Sequence, residues 1–302
     1  MILTPLFTGV CTALITPFRQ GKIDFDALNR LIDLQLEAGV QALLPCGTTG
    51  EASTLSEAEW RRVIEHTVLR ASGRALVIAG TGSNNLALTV ARARMALSLG
   101  AGAQLVVTPY YNKTTQEGLI DYYSRVADAT ELPLLLYNVP ARTGLNMLPD
   151  TVLRLAAHPH IAGIKEAGNN LNQLAVLLRR CKLPVYCGSD ELNAPALRLG
   201  ARGVISVLSN LWPQAVLQLY EAVEKGCPRT ADARQEALTP LSSALFCETS
   251  PAPVKAALSL CGICSDEVRS PLVTVRPQTL SLLRELLAKE VYYHANAAHL
   301  RH

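Results

Sequence analysis

This chain has little charge imbalance: 28 Lys and Arg stand against 25 Asp and Glu, a net +3 over 302 residues. No basic block exceeds short pairs such as Arg61-Arg62 and Arg179-Arg180, so neither nucleic acid nor an anionic membrane is the expected partner. Unbroken apolar runs are missing too. Met95 to Asn112 and Gly203 to Tyr220 carry no charge, but Pro, Gly, Ser, Asn or Gln interrupt each of them, and neither reads as a bilayer span. The opening 18 residues are also uncharged, yet Pro5 and Pro17 break them and no basic leader or small-residue cleavage site is evident. No export signal is expected. Eight cysteines are too dilute for a disulfide scaffold, and Cys261-x-x-Cys264 has no second pair, so reduced and mostly buried thiols in a cytoplasm are the expectation. His294, His299 and His302 lack the spacing of a metal site and read as a solvated tail. There is no Gly-Lys-Ser/Thr phosphate loop and no G-x-G-x-x-G after the first strand, which disfavours a nucleotide cofactor.

Apolar content is ample. At 49% hydrophobic and 18% charged residues, the chain can bury a large core and is not disordered over any long stretch. Short Val, Ile and Leu runs recur, each followed by an amphipathic stretch, the pattern of strand-helix units in a parallel sheet buried on both faces. The expected strands are Val10 to Leu14, Ala42 to Pro45, Ala75 to Ala79, Gln104 to Thr108, Pro133 to Tyr137, Ala162 to Lys165, Pro184 to Cys187 and Gly203 to Val207. Helical windows between them include Asp26 to Glu37, Ser56 to Ala71, Asn85 to Leu99, Pro149 to Ala157, Asn170 to Arg180 and Pro213 to Lys225. Eight such units predict an α/β protein of the (β/α)8 TIM-barrel class over residues 1–226. After Gly226 the strands stop. Helices over Thr230 to Phe246, Pro253 to Leu260 and Gln278 to Tyr292 make residues 227–302 a C-terminal helical extension.

In such barrels chemistry gathers at the carboxyl ends of the strands, and unusual residues gather there here. Gly47-Thr48-Thr49-Gly50-Glu51 follows the second strand, Pro109-Tyr110-Tyr111-Asn112-Lys113 the fourth, and Tyr137-Asn138-Val139-Pro140 the fifth, with Arg142-Thr143-Gly144 beyond. Lys165 stands between Ala162-Gly163-Ile164 and Ala167-Gly168, with little polar company. At an ordinary pKa of about 10.4 roughly one lysine in 2,500 is neutral at pH 7. An apolar barrel mouth disfavours the ammonium and readies the amine for a Schiff base. Pairing with Glu166 is disfavoured because adjacent strand residues point to opposite faces. Thr48 and Thr49, flanked by two glycines, suit a small carboxylate, although a plain turn before the helix capped by Ser56 has the same composition. Tyr137 is placed to shuttle protons or simply to fill the core, and Arg142 offers a fork for a second carboxylate or a solvated charge.

Taken together, these residues resemble the pyruvate-dependent class I aldolases of the N-acetylneuraminate lyase superfamily, and within it the dihydrodipicolinate synthase family, from about Gly9 to the C-terminal helices. Lys165 and the Gly-Thr-Thr-Gly-Glu turn are shared across the superfamily. Tyr110-Tyr111-Asn112-Lys113 and Tyr137 to Gly144 are particular to that branch. The resemblance implies that Lys165 forms an imine with pyruvate and that Thr48, Tyr111 and Tyr137 relay protons, Tyr111 from a neighbouring subunit. It further implies that Thr49 holds the pyruvate carboxylate, that Arg142 binds L-aspartate 4-semialdehyde, and that Gly188 and Ile205 supply nearby backbone. The implied reaction is an aldol condensation in diaminopimelate and lysine synthesis, with no metal or organic cofactor, in a homotetramer built as a dimer of dimers.

Two departures from the family pattern stand out. Thr114 replaces the usual proline after Lys113, which loosens the Tyr111 loop with no expected loss of activity. Regulated relatives place a histidine and a glutamate where Glu57 and Leu88 stand, and another histidine at Trp60, while Asn84 and Tyr110 are kept. Weak or absent inhibition by L-lysine is the implied consequence. The competing readings are a sugar-acid aldolase or lyase of the same superfamily, against which Arg142 and the paired tyrosines speak, and a catalytically silent keto-acid sensor, against which the intact lysine and relay speak.

Overall fold

A computed structural model describes residues 4–299. Eight parallel strands close into a barrel: β1 (Gly9–Ala13), β2 (Ala42–Leu44), β3 (Leu76–Gly80), β4 (Ala103–Val107), β5 (Leu134–Asn138), β6 (Ile161–Glu166), β7 (Val185–Cys187) and β8 (Gly203–Ser206). Each strand pairs with its neighbours in sequence, and β1 returns to β8 through Gly9↔Gly203 to Thr12↔Ser206. All eight lie within a residue or two of their expected positions. The strands are buried on both faces, as a sheet enclosed by helices must be.

Local chemistry explains why the outer helices begin where they do. The helix Glu57–Ala71 opens with Ser56 accepting from the Glu59 N–H at 3.2 Å while Glu59 accepts from the Ser56 N–H at 2.9 Å, a reciprocal capping box. Asn85 and Asn170 cap the helices Leu86–Ser98 and Leu171–Arg180 in the simpler way. Helices at Gln116–Asp128 and Asn193–Arg198, a short one at Pro140–Thr143, and a small hairpin of Phe18–Arg19 with Lys22–Ile23 lie outside the windows that the sequence pattern marks.

Beyond the barrel come helices Pro228–Ala244, Ala252–Leu260 and Pro277–His299. The first packs against Pro213–Glu224, and the last against the other two. All eight cysteines are unpaired, Cys261 and Cys264 included. The side chains of His294 and His299 and the whole of His302 lie outside the described residues. Among the described residues no helix is long and apolar enough to cross a membrane, and no group of three His, Cys, Asp or Glu side chains could hold a metal ion.

Candidate active site

Register places the two central side chains. Tyr137 on β5 lies directly across from Lys165 on β6, so both side chains emerge on the same face of the sheet, toward the barrel axis. Both are almost fully buried, and the Lys165 Nζ sits 4.4 Å from the centroid of the Tyr137 ring. Gly188, just past β7, leaves room for that lysine: a Cβ there would lie 2.7 Å from Lys165 Cε and 2.7 Å from Ala167 Cβ. No other side chain fits so close an approach.

Strand alternation also settles the neighbour of Lys165. Glu166 points away from it and accepts from Asn138 Nδ2 at 3.0 Å, the Gly168 N–H at 2.8 Å and Gln173 Nε2 at 3.1 Å. Burial pushes its carboxyl above the usual range, and these donors oppose the rise. The cluster fastens β5 to β6 behind the pair that faces the axis.

Above Lys165 opens a cavity of about 220 Å³, whose lining includes Thr48, Thr49, Tyr137, Arg142, Lys165 and Gly188. A second cavity, of about 200 Å³, shares Thr48, Tyr137 and Arg142 and continues past Tyr110 and Thr143. The threonines stand on a turn closed by Gly50 N–H to Gly47 O at 3.1 Å and Glu51 N–H to Thr48 O at 3.1 Å. Non-glycine residues in the left-handed region bracket it, Cys46 at φ 55 and Glu51 at φ 53. Arg142 sits on the short helix Pro140–Thr143, and its Nη2 donates to the Ser250 carbonyl at 3.0 Å. The far wall is held by Asp190, which accepts from the Val207 and Leu208 N–H groups, each at 2.9 Å.

Two expected residues stand apart from the cavity lining. Ile205 is buried in β8. Tyr111 is 92% exposed on a loop where its own φ is 69 and lines neither cavity. Sequence reasoning passed over Lys255, fully buried and ion-paired to Glu51. The signal was present: Lys255 is the lone charge between residues 249 and 265. Near the second cavity, Arg92 pairs with Glu57 at 2.5 Å and lies 5.6 Å from the ring of buried Trp60.

The family model of the dihydrodipicolinate synthetases matches residues 6–290. The chain belongs to the dihydrodipicolinate synthetase family. A 4-hydroxy-tetrahydrodipicolinate synthase of Geobacter metallireducens is 46% identical over 269 residues, 88% of this chain and 93% of that protein. The crystal structure of a dihydrodipicolinate synthase from Thermotoga maritima superposes with a TM-score of 0.93 at 41% identity, covering 94% of this chain and 98% of that one. The chloride-inhibited enzyme of Acinetobacter baumannii, solved with pyruvate bound, gives 0.91 at 39% identity over 93% and 98%. As a dihydrodipicolinate synthetase family member the chain is a lyase of the class I aldolase kind, and the family is pyruvate-dependent.

Proposed function

We propose that Lys165 is the amine on which this chain performs the 4-hydroxy-tetrahydrodipicolinate synthase reaction, the condensation of pyruvate with L-aspartate 4-semialdehyde. The observation that carries the reading is the pairing of Lys165 with Tyr137 across β5 and β6, Nζ 4.4 Å from the ring, at the base of a cavity walled by Thr48, Thr49 and Arg142. The neutral amine adds to the keto carbon of pyruvate, and the carbinolamine loses water to give an imine. Tyr137 and Thr48, with Tyr111 from a second copy, carry the protons. Loss of a methyl proton gives an enamine whose carbon attacks the aldehyde. The amino group of the second substrate then attacks the imine carbon, closing the ring and releasing Lys165 as the free amine.

The N–H groups of Gly50 and Glu51 are engaged inside the turn, so we assign the pyruvate carboxylate to Thr49 and the remaining amides, and the aldehyde substrate's carboxylate to Arg142. Gly188 contributes backbone beside Lys165, and the backbone role of Ile205, which lines neither cavity, rests on the family resemblance alone. The covalent imine supplies the electron sink, so we assign no cofactor. In this reading residues 1–226 are the catalytic barrel and 227–302 a helical region that backs it. The free thiols suit the reducing cytoplasm that we propose as its location, and the exposed Tyr111 suits a homotetramer assembled as a dimer of dimers.

Borohydride trapping tests the nucleophile. Incubation with pyruvate and borohydride adds one pyruvate-derived mass per chain, peptide mapping places it on Lys165, and Lys165→Ala abolishes it. An adduct on another residue, or none, defeats the assignment.

A further inference from the structure

Glu51 closes the threonine turn and is 1% exposed; its partner Lys255, on the helix Ala252–Leu260, is 0% exposed. Lys255 Nζ donates to Glu51 Oε1 and, at 2.8 Å, to the Glu267 carbonyl, and it lies 4.0 Å from the centroid of the Phe18 ring. The other carboxylate oxygen accepts from the Arg269 N–H at 2.9 Å. Glu51 thus ties the turn to two separate points of the C-terminal region while its own φ is 53, a region that a non-glycine residue leaves unless its surroundings hold it there. Two hydroxyls also anchor the turn, Thr16 Oγ1 donating to the Gly50 carbonyl at 2.7 Å and Thr54 Oγ1 donating to the Glu51 carbonyl at 3.0 Å.

We propose that Lys255 is a positioning residue for the pyruvate site: its buried pair with Glu51 fixes the left-handed end of the turn and so aims Thr48 and Thr49 over Lys165. A buried pair contributes little net stability against an apolar pair of the same shape, whereas removing one partner leaves an uncompensated charge. That difference separates positioning from mere packing. The same region also holds Arg142 through the Ser250 carbonyl, so both carboxylate contacts depend on residues that arrive after the barrel has closed.

The inference rests on the Schiff-base reading, and the test distinguishes the two. Wild type, Lys255→Met and the double variant Glu51→Gln/Lys255→Met are compared for thermal midpoint, for the pyruvate concentration giving half-maximal borohydride trapping, and for KM and kcat. In the double variant no buried charge is left alone, so its thermal midpoint returns toward wild type. Its half-saturation for pyruvate stays raised by roughly tenfold or more, the scale expected when reacting groups are misplaced by a fraction of an ångström. If Lys255→Met does not fold, the double variant alone carries the comparison. A double variant that recovers pyruvate half-saturation along with its midpoint overturns the positioning role while leaving the lysine chemistry intact. Wild type that traps no pyruvate at all defeats the Schiff-base reading, and this inference falls with it.

Discussion

A single missing side chain makes room for Lys165. Because a Cβ at residue 188 would stand 2.7 Å from Lys165 Cε, Gly188→Ala must displace either the lysine or the strand end. A displaced amine loses its line of attack, and a drop in kcat/KM of about 10²-fold is the expected size. The thermal midpoint falls as well, because the added Cβ also meets Ala167 Cβ at 2.7 Å, an atom fixed to the backbone that only a shift of the strand end can relieve. Steady-state kinetics beside a melting curve checks this, and unchanged kcat/KM would show that the contact is harmless. Lys165 was legible in the sequence because a lone lysine amid small apolar residues is costly to bury. Lys255 sits in an equally apolar stretch and went unread, because its partner Glu51 is 204 residues away and only the fold brings them together.

At the level of elements, the eight strands were legible because runs of β-branched and leucine residues bounded by turns have few other solutions. The helix Gln116–Asp128 was less so: it buries Leu119, Tyr122, Tyr123, Val126 and Ala127, a regular helical stripe, but Gly118 and two adjacent tyrosines weaken its local signal. Asn193–Arg198, with Pro195 near its start, is too short to show a period. The helix Glu57–Ala71 also carries a pH-dependent tie to the C-terminal region. Arg269 grips Glu59 at 2.6 and 2.8 Å, and this guanidinium, more than the capping box, holds the Glu59 carboxyl at about 2 against an ordinary 4.5. A carboxyl depressed in the folded state stabilises it fully above the unfolded value, and that contribution fades as the pH falls through the folded one. The difference in thermal midpoint between wild type and Arg269→Met is therefore largest above about pH 5 and shrinks toward about pH 2. A difference that stays constant across that window would assign the whole effect of Arg269 to its other contacts, the Thr54 and Gly21 carbonyls at 3.0 and 2.8 Å and the Phe18 ring at 4.3 Å.

For the whole molecule, the question is where Tyr111 goes. The Tyr111 phenol is 92% exposed on a left-handed residue, and our reading seats it in the site of a second copy. Lys165→Ala and Tyr111→Phe are then each crippled alone, and mixing them under exchanging conditions restores activity, because one hybrid site holds both intact residues. Activity that stays at the level of the separate variants, while co-purification through a tag carried by one variant alone shows that hybrids have formed, would confine Tyr111 to its own chain. Sequence alone could point to this residue only through the family resemblance, since nothing in a loop of two tyrosines says which of them turns outward.

The anchoring of the threonine turn by Lys255 and Arg269 also bears on how the molecule is made. Translation delivers the strand bearing Lys165 well before it delivers Lys255 and Arg269, and domains tend to organise as they emerge from the ribosome. On our reading the nascent chain therefore carries the amine of Lys165 for a time in a half-furnished vessel, and competence to capture a keto acid waits for a segment made some ninety to a hundred residues later.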